Sequence, residues 1–186
     1  LPAPPEVMVS LEQEVTVRLG DSYLLTPVLN IPGSQVSTVT WTPEEGLDCS
    51  DCLQPHVMPF AETIYTVEVT DVNGCTDTVA ILVKINRQVD IYVPNVFSPN
   101  DDGINDRLVL FAKPGLVSKV LLFRVFSRWG ESVFEAQDFL PNDLSYGWDG
   151  RHRGKPLDAG VFVWFAEVEL IDGSREVLKG EVTLLR

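Results

Sequence analysis

The chain has 186 residues, 45% of them hydrophobic, with 27 acidic against 14 basic residues and a formal charge of -13. That length and apolar content fit one large or two small domains with buried cores and exclude disorder as the default. The acidic balance repels phosphate backbones and anionic lipid, which argues against nucleic-acid and membrane-surface roles. The longest apolar stretch, Gly160 to Ala166, has the length of a strand, so no transmembrane segment is expected.

The chain opens at Leu1 without a basic and then apolar leader, which is the expectation for a piece of a longer exported precursor. Short alternating segments follow: Thr16 to Leu19, Gln35 to Trp41, Ile64 to Val69 and Val79 to Ile85, most of them bounded by Gly, Pro, Asn or Asp. This is the signature of strands and turns. A 3.6-residue apolar period is nowhere held for three turns between caps, so helix is expected only as a single turn near Leu140 to Leu144.

Composition shifts near Asn86 to Gln88. Residues up to Arg87 include 12 acidic and 3 basic (-9), and those from Gln88 include 15 and 11 (-4). The expectation is two domains, 1–87 and 88–186. Under 90 residues and about seven strands suit an immunoglobulin-like sandwich, with Trp41 and Tyr65 filling the core between its sheets.

Cys49, Cys52 and Cys75 all lie in the first domain. Adding His56 to them would make a four-ligand zinc cluster. The simpler reading is one disulfide and one free thiol, with Cys49 to Cys52 as the pair and Cys52 to Cys75 as the alternative. This half resembles polycystic-kidney-disease-type and related immunoglobulin-like repeats of bacterial surface proteins. The residues that carry the resemblance are Trp41-Thr42-Pro43, Gly46-Leu47, Cys49 to Cys52, Tyr65-Thr66-Val67 and Thr70 to Cys75. It implies a spacer or adhesive unit and names no ligand.

In the second half, strands are expected at Val89 to Val93, Arg107 to Phe111, Val117 to Ser127, Glu131 to Glu135, Gly160 to Ile171 and Glu176 to Leu185, again enough for a sandwich. The last two flank Asp172-Gly173-Ser174, whose Asp-Gly supplies the positive φ of a tight hairpin. Between the first two lies Ser98 to Asp106, with three carboxylates and two amides around Gly103. Counted as an EF-hand loop from Ser98, it offers Asn100, Asp102, the Ile104 carbonyl and Asp106 as oxygen donors. Val109 stands where the bidentate Glu belongs. Calcium is the expected ion if any is bound. The competing reading is that these side chains cap a rigid turn.

Catalysis has no support. His56 and His152 both sit among turn residues, and no nucleophile lies in a recognisable pairing with a base. The basic run Arg151 to Lys155 reads as a solvated turn, and Glu167 and Glu169 as one solvent face of a strand. Trp129 and Trp148 read as plugs at the ends of the sandwich, with stacking on sugars as the other possibility.

The ordered motifs Tyr92 to Asp106, Phe126-Ser127-Arg128-Trp129-Gly130-Glu131, Trp148-Asp149-Gly150, Gly154-Lys155-Pro156 with Ala159 to Phe162, and Lys179 to Leu184 resemble the type B C-terminal sorting domain of the type IX secretion system. This is also called the gliding-motility-associated C-terminal domain. Asp101 stands where that family more often has Gly, and Ser127 where Asn is usual. The resemblance implies export through the periplasm to the cell surface or medium. It also implies recognition by outer-membrane translocon and shuttle proteins, including a porin-like barrel. The residues it offers for partner binding are Asn95, Phe97, Asn105, Arg128, Trp129, Gly160, Lys179, Gly180, Thr183 and Arg186, on a chain expected to be monomeric as a fragment. The fold class expected is all-β, two tandem immunoglobulin-like β-sandwiches without enzymatic activity. A calcium-dependent adhesin or glycan-binding module is the alternative function.

Overall fold

A computed structural model describes residues 6–186. The chain divides into two compact units between Gln88 and Val89. Both are all-β sandwiches of the immunoglobulin type, and no α-helix occurs among the described residues.

The first unit contains β1 (Val9–Ser10), β2 (Glu14–Arg18), β3 (Tyr23–Leu24), β4 (Val28–Leu29), β5 (Val36–Thr42), β6 (His56–Val57), β7 (Thr63–Asp71) and β8 (Thr76–Asn86). Four of them form a sheet in the order β2-β8-β7-β5, with β2 parallel to β8. The short pairs β1·β4 and β3·β6 complete the unit. Prolines at 27, 32, 43, 55 and 59 interrupt this part of the chain, and each removes a ladder donor, which keeps the strands there short. In β7 the alternation is strict: Tyr65, Val67 and Val69 are buried, while Ile64 and Glu68 face out, as the two-residue period of a strand requires.

Trp41 and Tyr65 are both enclosed in this core. Their polar atoms are satisfied there, since Trp41 Nε1 donates to the Cys52 carbonyl at 2.9 Å and Tyr65 Oη to that of Glu45 at 2.7 Å. Asp71 is also buried. Its Oδ1 accepts from the backbone N–H of Asn73 and Cys75, both at 2.8 Å. Those amides, Cys75 first, hold its carboxyl below the usual range. Cys49 and Cys52 are joined by a disulfide across Cα atoms 5.8 Å apart, and Cys75 is a free, half-buried thiol.

The second unit contains β9 (Ile91–Tyr92), β10 (Val96–Phe97), β11 (Phe111–Ala112), β12 (Val117–Phe126), β13 (Ser132–Phe139), β14 (Arg151–His152), β15 (Lys155–Pro156), β16 (Gly160–Leu170) and β17 (Arg175–Leu184). The main sheet runs β10-β17-β16-β12-β13, with β10 parallel to β17 and the rest antiparallel. On its inner face lie Phe162, Trp164, Ala166, Val168 and Leu170 of β16 beside Phe123 and Val125 of β12, all buried. The β16–β17 hairpin turns through Gly173 at φ +79°.

Two expectations are corrected here. The strand expected over Arg107 to Phe111 is absent apart from a single bridge from Leu108 to Trp148 and the start of β11. Leu108, Val109 and Leu110 are buried in succession, so this segment is enclosed on all sides and shows no alternation. The helical turn expected at Leu140 to Leu144 lies later, as a 3-10 turn at Leu144–Tyr146 behind Asp143, whose carboxylate accepts from Ser145 N–H. A second 3-10 turn, Gly33–Gln35, had no sequence signal.

Candidate functional site

One end of the second unit gathers the motifs that sequence alone shows as scattered. At its centre Trp148 is fully buried, with Phe97 at 5.2 Å and Phe162 at 4.9 Å between ring centroids. Its indole N–H donates to the Arg151 carbonyl at 2.8 Å. The backbone of Trp148 exchanges two hydrogen bonds with Leu108, which draws the 108–110 segment under the sheet. Gly150 follows at φ +73°, and a Cβ there would lie 3.0 Å from Leu184 and 3.1 Å from Pro99. Only glycine lets these segments close so tightly. Arg186 then ties the end of β17 to the same place: Nη2 donates to the Gly150 carbonyl at 2.9 Å and Nε to that of Leu157 at 3.0 Å.

The acidic loop is built inward upon itself. Asp106 Oδ1 accepts from the backbone N–H of Asn100 and Asp101 at 2.9 and 2.8 Å, and Oδ2 from that of Gly103 at 2.7 Å. Desolvation pushes this carboxyl upward, but the three amides outweigh it and hold it below the usual range. Asp102 accepts from Ile104 N–H and from the Asn100 side chain. Asp101, Gly103 and Asn105 all take positive φ, +62°, +85° and +55°, so the loop turns through three left-handed residues in five. A calcium ion needs six to eight oxygens aimed at one point, and here the carboxylates are aimed at the loop's own amides. The residues Asn100, Asp102, Ile104 and Asp106 as arranged do not fit that ion. The one cluster of metal-ligand side chains among the described residues is Asp48, Cys49 and Cys52, and two of those three sulfur or oxygen donors are already joined in the disulfide.

The partner-binding residues divide by face. Asn95, Asn105, Arg128, Trp129, Lys179 and Arg186 are exposed, and Gly160 and Thr183 half-buried. Phe97 is a correction, since it is 1% exposed and belongs to the Trp148 cluster. Gly180 is another: it points inward beneath Trp164, whose ring would stand 2.7 Å from an added Cβ. Its parity with Leu178, Val182 and Leu184 was the available sign. Trp129 corrects the reading of two plugs, because it is 85% exposed where Trp148 is 0%. His152 packs by donating from Nδ1 to the Val133 carbonyl at 3.1 Å.

A fold of this kind defines an immunoglobulin-like module and leaves its role to the motifs. Residues 91–184, or 94 of 186, match the family model of the CHU_C type IX secretion signal domain, and the chain belongs to that family. Membership marks it for export to the cell surface or extracellular medium. No curated protein matches the chain in sequence.

Among solved structures, a Bacteroides ovatus SGBP-B in complex with a mixed-linkage heptasaccharide is 14% identical, with 98% of this chain and 48% of that one covered and a TM-score of 0.36. Dimeric latent PorU from Porphyromonas gingivalis is 13% identical, with 97% and 20% covered and a TM-score of 0.35. The insect immune protein hemolin is 10% identical, with 95% and 46% covered and a TM-score of 0.38. The chain thus spans about half the length of the first of these and a fifth of the second.

Proposed function

We propose that residues 89–186 are an address read by the outer-membrane translocon and shuttle proteins of the type IX secretion system, a porin-like barrel among them. In this reading residues up to 88 are an immunoglobulin-like spacer, related to the polycystic-kidney-disease-type repeats, and neither unit catalyses a reaction. The observation that carries it is the match of residues 91–184 to a secretion signal family.

The geometry supports a location for the address. The acidic loop, the Trp148 turn and the end of β17 are locked together at one end of the unit, so their outward groups Asn95, Asn105, Thr183 and Arg186 form one rigid surface. Strand β17 offers a second element. It pairs with β16 along its length, while β10 covers it on the other side only at Thr183 and Leu184. Among the described residues no strand pairs with that side of Arg175 to Glu181. A partner strand could add there by main-chain hydrogen bonds, with Lys179 at the centre of the edge.

Replacing Lys179 and Glu181 by proline removes edge donors while the inward Leu178, Val182 and Leu184 stay in place. A reporter carrying residues 89–186 and sent to the periplasm of a host with a working type IX system should reach the surface or medium. The double-proline form should accumulate in the periplasm while staying folded. Equal export of both forms would remove the strand edge from this account.

A further inference from the structure

The turn after β12 and the start of β16 enclose a groove of about 780 Å³ on the second unit. Trp129 forms one wall and is 85% exposed, with the Arg128 guanidinium 5.4 Å from its ring centroid. Val161 and Val163 form the apolar floor, 53% and 44% exposed. The polar groups are mainly acceptors without donors. Glu131, Asp158 and Glu181 bring carboxylates to the rim. His152 lies behind them, with Nδ1 3.1 Å from the Val133 carbonyl. Its Nε2 is buried and makes no hydrogen bond, with Glu131 Oε1 3.5 Å away. A buried ring nitrogen without a hydrogen bond is an unsatisfied arrangement.

A ligand that completes the groove must present an apolar face to Trp129, donate to several acceptors and accept from Arg128. A neutral saccharide does all three. Its C–H face stacks on the indole, and adjacent hydroxyls, each able to donate or accept, partner Nε2 and Glu131 separately once the exposed Glu131 side chain swings aside. A polyanionic glycan would meet three rim carboxylates and a chain of charge -13. A cationic peptide would meet Arg128 over the indole. We infer that this groove is a binding site for a neutral glycan, seated on Trp129 and oriented by Glu131, His152 and Glu181. The inference does not depend on the secretion reading, because it concerns binding by the purified chain alone.

Electrophoresis of the 186-residue chain at pH 8 through gels holding laminarin, dextran or mannan tests it, with heparin gels and titration with oligolysine as controls. Retardation by at least one neutral polymer is expected, with at least a tenfold loss of affinity in Trp129→Ala and a smaller loss in Glu131→Gln. Trp41 and Trp148 are 0% exposed and Trp164 is 7%, so acrylamide quenching reports almost wholly on Trp129, and the retarding polymer should suppress it. Three outcomes would overturn the inference. One is no retardation by any of the three neutral polymers, whether or not oligolysine or heparin binds. Another is retardation that Trp129→Ala leaves unchanged, and the third is quenching that the polymer does not alter.

Discussion

The Trp148 end and the Trp129 groove of the second unit use the same kinds of residue in opposite ways. Around Trp148 the polar groups are consumed internally: three amides converge on Asp106, the Arg186 guanidinium is held by two carbonyls, and the indole N–H is satisfied. Around Trp129 the ring is open to solvent and His152 Nε2 has no hydrogen-bond partner. An aromatic beside a turn glycine therefore carries no fixed meaning. Where backbone closes over it the residue is a folding device, and where the turn projects outward it is a surface waiting for a ligand.

The difference can be broken most forcefully at Trp148. Trp148→Ala should lower stability by about 3–5 kcal/mol, as removal of a fully enclosed Trp does, whereas Trp129→Ala should stay within about 0.5 kcal/mol of the parent in urea unfolding. Similar losses for both would erase the distinction. A smaller effect is expected at Gly180, where a valine side chain would collide with the Trp164 ring. Gly180→Val should be destabilised by about 1–3 kcal/mol and show altered near-ultraviolet circular dichroism from that indole.

Asp106 sharpens the comparison through pH. Its carboxyl is depressed in the folded state below its ordinary 3.8, so the stability it contributes is fully present above that value and disappears as pH falls through the lower folded one. Asp106→Asn should therefore lower the melting temperature at pH 7 and converge with the parent in strong acid. A constant difference across pH would assign the loss to something other than this charge. Asp101→Gly should act in the other direction and weakly. The residue sits at φ +62°, a region where a side chain is strained, and relief should raise stability by roughly 1 kcal/mol or less. Smallest of all is the response to calcium, since the loop oxygens already hold amide donors. Neither added calcium nor chelator should move the melting temperature, and a clear rise with calcium would restore the ion-binding expectation.

Much of this architecture was legible because strands advertise themselves by alternation. β7 and β16 carry one buried face and one more open face along their whole lengths, β17 does so from Leu178 onward, and Asp172-Gly173 marks the hairpin between the last two. The 107–110 segment was misread for the same reason in reverse, since three successive enclosed residues have no parity to read. Phe97 beside Val96 offered two apolar side chains for one inward position, and only the Trp148 contact decides between them. The self-capped loop was legible as one of two readings; its donor count alone could not say whether the carboxylates point at an ion or at their own backbone. The Trp129 groove was hidden, because it joins side chains from the 127–133 turn, β14, β16 and β17 that only the fold brings together.

The central claim is that the address lies in the second unit. Fusing residues 6–88 and residues 89–186 separately to a reporter sent to the periplasm, in a host with and without a functional type IX translocon, tests it directly. The account predicts surface or extracellular reporter only with residues 89–186 and only when the translocon works. Periplasmic retention of that fusion in the competent host, or export of the 6–88 fusion instead, would contradict it.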